Sequence, residues 1–380
     1  MKTSSISIII AAVVLLFMAS CRDNDSRMLT IINEDGTCSR EFSFHPYPNS
    51  VMVSSDEPIE NDGLHFGADW QRSWSVVGDS VCHPVPLTQE QWDSLQHVFP
   101  KQTVRDKILM HTKRSFQNVS EMSDSLTNVV RHLFKATASL DKHFKWFYTD
   151  YVYQETLAIT DIEQIFSIPL DRFVSADTAS YWFTGQPNLA AGLTGAEQKE
   201  LLDAIEANIS HWFNACTMSF VYTYVSLRYD EVKNPPVSKE QYLALKDSIV
   251  MSPAVRDMDI FSDISQVGKI IKDFYHSDAY TPLFSDSKEW ERVLDKKYKS
   301  YEYLMMMAPQ LDYVMPGKVI DAGDGVVENN VIHYKFSGER LIPHPYVITA
   351  TSRVTNVWAF VVTILVILLA FGSFMYKRKR

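Results

Sequence analysis

Val357–Tyr376 is a run of 20 residues without a charged side chain, followed directly by Lys377-Arg378-Lys379-Arg380. A helix of that length covers about 30 Å, the thickness of a bilayer's hydrocarbon core. Trp358 and Tyr376 stand at its ends, where aromatic side chains favour the membrane–water interface. The run has no polar face with which to sit in a soluble core. By the positive-inside rule the basic tail is cytoplasmic, which puts residues 21–356 outside the cytoplasm. The expected membrane-interface residues are therefore Arg353, Trp358, Tyr376, Lys377, Arg378, Lys379 and Arg380.

The other end agrees. Met1-Lys2 leads into an apolar stretch, Ile6–Met18, and then Ala19-Ser20-Cys21. A basic start, a short apolar segment and small residues before a break describe a signal peptide over residues 1–20. Thirteen residues are too few to span a bilayer as a helix. The small pair before Cys21 matches a bacterial lipobox, with Met18 where leucine is commoner. Two readings follow: Cys21 carries a palmitate-type lipid anchor, or cleavage is ordinary and Cys21 is a bystander. The expected location is the inner membrane, single-pass, with a periplasmic domain over residues 21–355 and a membrane helix with basic tail over 356–380.

The formal charge is −10. Setting aside Lys2 and the four-residue tail leaves 31 basic against 46 acidic residues. So acidic a body lacks the footprint of a nucleic-acid binder. The composition, 46% hydrophobic and 22% charged, is that of a globular chain and excludes disorder or a many-pass membrane protein. A second uncharged stretch, Trp212–Leu227, contains Asn214, Thr217, Ser219, Thr223 and Ser226 and is short for a span. It reads as a core helix.

Within the body, Met28–Ile32 and Cys38–Phe44 flank Asn33-Glu34-Asp35-Gly36, a hairpin signal that puts Cys38, Arg40, Phe42 and Phe44 on one face. Trp70–Val77 alternates as a strand. Thr88–Gln91 is a capping box that opens a helix. Helical spacing predicts helices over 120–140, 176–183, 195–220, 238–251 and 260–274. The aromatic tract Phe144–Tyr153 predicts one long strand, and Lys297–Met307 another. Ile332–Phe336 and Tyr346–Thr351 alternate as closing strands, after a turn-rich Asp321–Asn330. The fold class expected is α+β, a single domain with a mixed or antiparallel sheet built from N- and C-terminal strands, a largely helical middle, and the final membrane helix.

Chemistry is sparse. Phosphate-loop, dinucleotide, zinc-protease and serine-elbow motifs are absent from the sequence. Asp321–Gly325 fails the spacing of a calcium loop, and the 11 histidines offer no local ligand set, so no metal and no cofactor are expected. With Cys21 acylated, Cys38, Cys82 and Cys216 remain in an oxidising compartment, and Cys38–Cys82 is the expected disulfide.

Two segments carry a family resemblance. Leu29–Thr37 resembles the opening strand and turn of LppM-like bacterial lipoprotein domains. Met315–Ile320, Val331–Phe336 and Ala350–Arg353 resemble that domain's closing strands before the membrane helix. Lys145–Tyr151 and Tyr181–Gly195 are similar to tracts in uncharacterised, membrane-anchored lipoproteins of the Bacteroidota. The resemblance implies a non-enzymatic envelope protein with lipid contact and no catalytic residues to carry over. The expected function is a binding or interaction domain held at the membrane, its partners membrane lipids or an envelope protein. The alternative is an envelope enzyme acting on cell-wall or lipid substrates.

Overall fold

The computed structural model describes residues 26–99, 103–160, 162–258, 266–284 and 287–378. Where one domain was expected, the chain forms two compact units. One gathers the described residues of Asp23–Ala158, Ala308–Phe336 and Pro345–Arg380; the other gathers those of Ile159–Met307 and Ser337–His344.

The first unit carries the sheets. In chain order its elements are β1 (Arg27–Ile32), β2 (Cys38–Phe44), α1 (Pro48–Val51), β3 (Ile59–Asn61), β4 (Leu64–Phe66), β5 (Gln71–Val76), β6 (His83–Pro84), α2 (Gln89–Val98), β7 (Ile108–Phe116), α3 (Val119–Val129), β8 (Phe134–Phe144) and β9 (Tyr148–Ile159). The second unit then supplies α4 (Ile162–Ile165), α5 (Ala176–Thr184), α6 (Gly195–Leu227), α7 (Lys239–Ala244), α8 (Lys246–Val250), α9 (Pro253–Arg256), α10 (Gln266–Tyr275) and α11 (Ser287–Met306). The chain returns to the first unit through β10 (Gln310–Val314), β11 (Lys318–Asp321), β12 (Val326–Glu328), β13 (Val331–Lys335), β14 (Tyr346–Thr355) and α12 (Val357–Arg378). The fold is α+β.

The larger sheet runs β12-β13-β10-β1-β2-β7-β5-β6. Here β1 pairs antiparallel with β2 and parallel with β10, so strands from both ends of the chain share one sheet, as the sequence implies. The β1–β2 turn closes through Asn33 N–H to the Thr37 carbonyl (2.9 Å) and puts Gly36 at φ +99°, a conformation glycine adopts without a Cβ penalty. The smaller sheet is β11-β14-β9-β8. Its centre is the ten-residue antiparallel register from Tyr346↔Leu157 to Thr355↔Tyr148. Inward residues of both sheets make the core: Met28 and Ile32, Phe42 and Phe44, Met110 and Phe116, Tyr151, Tyr153 and Leu157, Ile348 and Ala350.

Three elements differ from their sequence reading. The helix expected over 120–140 stops at Val129, because Arg131 (φ +51°) and His132 (φ +59°) turn the chain left-handed and β8 begins at Phe134. As an edge strand, β8 would leave amide groups unpaired. The preceding helix covers two of them: Thr127 Oγ1 accepts from Ala136 N–H (3.0 Å) and Ser123 Oγ from Ala138 N–H (3.1 Å). The long strand expected over 144–153 is instead a hairpin that reverses at Lys145–Phe147, with Lys145 N–H on the Tyr148 carbonyl (2.8 Å). All of Lys297–Met307 but its final residue is the last part of α11, not a strand. Leu294, Tyr301 and Leu304–Met305 are buried at helical spacing, and the aromatic content that imitates a strand serves a helix face.

In the helical unit α6 dominates. It opens on a capping box in which Thr194 N–H donates to Glu197 Oε2 (2.8 Å). From Trp212 to Val225 it is buried on most sides, so the second uncharged stretch is a core helix. Tyr222, Tyr229, Tyr242, Tyr275 and Tyr280 form a ring-stacked cluster beside it, with Tyr222 and Tyr242 centroids 4.0 Å apart.

Candidate functional site

The site with the most unusual geometry lies where β14 becomes α12. A single residue, Asn356, separates the strand from the helix. Its backbone N–H donates to the Phe147 carbonyl (2.9 Å), and its side-chain amide donates to the carbonyls of Lys145 (2.8 Å) and Trp146 (3.3 Å). Its Oδ1 accepts from Thr149 Oγ1 (3.2 Å), and its carbonyl accepts from Ala359 N–H (2.9 Å). One asparagine thus collects all three tip carbonyls of the β8–β9 hairpin and starts the helix.

The tip's aromatic rings then lie along the first turns of α12. Phe144 stacks on Trp358, Trp146 meets Trp358 edge-on (5.3 Å), and Phe147 packs on Phe360 (4.7 Å). Trp146 Nε1 donates to Thr363 Oγ1 (2.9 Å), which itself donates to the Ala359 carbonyl (2.7 Å). Ala359 is fully buried beneath this contact and Thr363 half-buried, while the rest of α12 is exposed. Val357–Arg378 is long and apolar enough to cross a membrane, and it is the only such helix among the described residues.

Of the expected interface residues, Trp358 and Tyr376 are exposed on α12, and Lys377 and Arg378 form its last turn. Lys379, Arg380, Cys21 and the signal peptide lie outside the described residues. Arg353 lies in β14, four residues before α12, and its guanidinium is already engaged. It donates from Nε to Asp150 Oδ1 (2.6 Å) and from Nη2 to Asp150 Oδ2 (3.0 Å), and it stacks 3.7 Å over Tyr148. The hydrogen bond from Arg353 holds the Asp150 carboxyl below its ordinary range.

Cys38 and Cys82 are not brought together; both are free thiols, one buried and one exposed. The register explains this. Cys38 pairs with Phe116, whereas Cys82 precedes His83, which pairs with Trp74 and through it aligns with Met110 and Phe44. That separates them by about 20 Å along the strands and about 14 Å across them. A disulfide needs Cα atoms within about 7 Å. Burial pushes the thiols of Cys38 and Cys216 up to about 11, so both are poor nucleophiles.

Three polar clusters went unpredicted. Between the two sheets, Arg40 of β2 donates from Nη2 to both carboxylate oxygens of Glu155 in β9 (3.0 and 2.9 Å) and from Nε to Thr30 Oγ1 (3.1 Å). Tyr153 and Tyr313 donate their hydroxyls to Glu155 Oε2 (2.8 and 2.6 Å). Every member is buried. Burial, then the Glu155 charge, lifts both tyrosines well above their ordinary value. Burial opposes the Arg40 charge, yet Glu155 keeps that guanidinium firmly protonated.

On β10, buried Asp312 accepts from Arg27, from Gln310 Nε2 (2.9 Å) and pairs with His333 Nδ1 (2.7 Å). Burial would raise its carboxyl; those hydrogen bonds hold it below the ordinary value. His344 belongs to the other unit.

The third cluster crosses three strands of the larger sheet. His111 Nε2 lies 3.0 Å from Ser75 Oγ, and its Nδ1 lies 3.0 Å from Ser43 Oγ and 3.3 Å from Glu41 Oε1. The His111 hydrogen bond keeps the Glu41 carboxyl below its usual range. Serine, imidazole and carboxylate thus stand in the order of an acyl-transfer triad. Ser75, however, is only 3% exposed and is paired within β5. Among the described residues, no three His, Cys, Asp or Glu side chains converge to hold a metal.

Compared with protein-family models, curated proteins and solved structures, the chain matches none.

Proposed function

We propose that this is a non-enzymatic cell-envelope lipoprotein, anchored through Cys21 and a single inner-membrane span, whose periplasmic domain binds another envelope component at the membrane surface. The observation that carries the reading is the Asn356 junction. A domain meant to work far from its anchor needs a flexible linker, and here strand and helix are one residue apart. The basic residues after Tyr376 support a cytoplasmic tail, and the acidic body disfavours nucleic acid as a partner.

Mass spectrometry of the intact protein, purified gently from its own membrane, tests the reading. An acylated N-terminal Cys21 together with a stoichiometric lipid or protein companion is the expected result. An unmodified chain recovered alone from several mild detergents would sink it.

A second reading, an envelope hydrolase, rests on Ser75–His111–Glu41. It expects covalent labelling of the full-length protein by a fluorophosphonate, lost in Ser75→Ala. Buried Ser75 is better explained as one member of a cross-strand polar ladder, which expects no labelling.

A further inference from the structure

The tip of the β8–β9 hairpin is the least soluble-looking surface of the sheet unit. Phe144, Trp146 and Phe147 are 58%, 46% and 40% exposed even after packing on α12. Three aromatic rings in four residues, half uncovered, would be costly to leave in water at about 25 cal/mol per Å² of apolar surface. Their neighbours His143 and Lys145 are exposed bases suited to anionic headgroups, whereas Lys142 is turned to the Glu34 carbonyl (2.7 Å).

Position decides what covers the rings. Trp146 is hydrogen-bonded to Thr363, five residues further into the helix than Trp358. At 1.5 Å per residue that is about 8 Å past the ring that marks the interface. A tip reaching this depth beside a spanning helix lies in lipid.

The tip's hydrogen bonding points the same way. Irregular backbone at membrane depth persists only where its polar groups are satisfied internally. The carbonyls of Lys145, Trp146 and Phe147 are all taken by Asn356, the Trp146 indole N–H by Thr363, and the Thr363 hydroxyl by Ala359. A hairpin turn in water has no need to have all three of its tip carbonyls paired.

We infer that Phe144–Phe147 is a second membrane-inserting element, a wedge that lies along α12 and seats its rings at the headgroup–acyl boundary of the periplasmic leaflet. This deepens the membrane-held reading and rests on it, since it requires α12 to span. The wedge fixes the sheet's distance from the bilayer and makes the lipid surface itself a ligand.

The test uses the full-length protein in vesicles of phosphatidylcholine and phosphatidylglycerol, with bromine quenchers either just below the headgroup or at the chain ends. With Trp146 and Trp358 both in reach of the shallow quencher, Trp146→Phe should remove roughly half of the quenchable emission. The chain-end quencher should show little difference between the two proteins. Phe144→Trp, a conservative aromatic exchange, should add quenchable emission and serves where Trp146→Phe does not fold. Equal shallow quenching in all three proteins, with the chain resistant to urea extraction, would overturn the wedge and leave the span intact. Release of the wild-type protein by urea would overturn both.

Discussion

Removing the Glu155 carboxylate should be far more damaging than removing its partner Arg40, although the two form one ion pair. Glu155 is the hub of the cluster: it accepts from Arg40, Tyr153 and Tyr313, all buried. Glu155→Leu leaves a buried guanidinium, at about 3–5 kcal/mol for an unpaired buried charge. It also leaves two tyrosine hydroxyls without their acceptor, at about 1–3 kcal/mol each. The total is about 5–11 kcal/mol, comparable with the whole stability of a domain. Arg40→Met leaves a carboxylate that keeps two hydroxyl donors and can escape by taking a proton, so its cost should stay near the lower bound of about 3 kcal/mol. The fourfold change Arg40→Met, Glu155→Leu, Tyr153→Phe, Tyr313→Phe removes every polar member except the Thr30 hydroxyl and should fold close to wild type.

The assay is urea denaturation of the full-length protein in nanodiscs, read by hydrogen exchange in peptides from β2 and β9, so that the helical unit does not enter the signal. The Arg40→Met protein carries a further signature. Its carboxyl, buried without a cation, has a raised pKa, so the folded state binds the proton more tightly than the unfolded one. Stability is then present at low pH and lost as pH rises, and the variant should recover toward wild type on acidification. The reasoning fails if Arg40→Met proves the worse single change, or if the fourfold variant is no better than Glu155→Leu.

Alkali provides another check. The pKa values of Tyr153 and Tyr313 are raised by burial and by Glu155, so their contribution is complete below about pH 10 and is lost above it. The β2 and β9 amides should lose protection above that pH, less steeply in the Tyr153→Phe, Tyr313→Phe double variant. Cys21→Ser should abolish acylation without releasing the protein, because a spanning helix holds more firmly than one lipid signal; a soluble product in fractionation would show that α12 does not span. A ten-residue Gly/Ser insertion after Asn356 should leave the unfolding free energy of the sheet unit within about 0.5 kcal/mol yet reproduce a deletion phenotype, and a silent insertion would make membrane proximity incidental.

Both charges of the buried pair were visible as positions before they were visible as partners. Arg40 shares the inward parity of Cys38, Phe42 and Phe44, and Glu155 that of Tyr151, Tyr153 and Leu157. A lone charge on an apolar stripe needs a counter-charge, and each strand offers one candidate. What hid the match was the misplaced turn: with Phe144–Tyr153 taken as one strand, its register had no fixed origin. That turn lacks the Gly, Asn or Pro that usually announces a reversal. The physical reason is that its aromatics are placed by α12 rather than by a local bend. The β1–β2 hairpin, the capping box at Thr88 and the final helix were legible because each is specified within a few residues. The three-strand contact of Ser75, His111 and Glu41 was not, because it depends on which strands become neighbours.

Strand β9 links the two features that define this molecule. At its start, the hairpin tip is bonded to Asn356 and packed on α12; seven residues beyond Tyr148, Glu155 clasps Arg40 of the other sheet. Between them β9 is in unbroken register with β14, whose last residue abuts the helix junction. The Asp150–Arg353 pair bolts the same two strands together one turn of the pleat from the tip. The path from the anchoring helix to the interior of the sandwich therefore contains no glycine, no gap in pairing and no flexible linker. A rotation or tilt of α12 must be absorbed by bending a paired sheet or by moving the sandwich with it, and the latter is the softer motion. On the proposed reading, with α12 spanning, the domain meets its partner with its orientation to the bilayer already set, so the entropy of orienting partner and membrane is spent on folding rather than at each encounter.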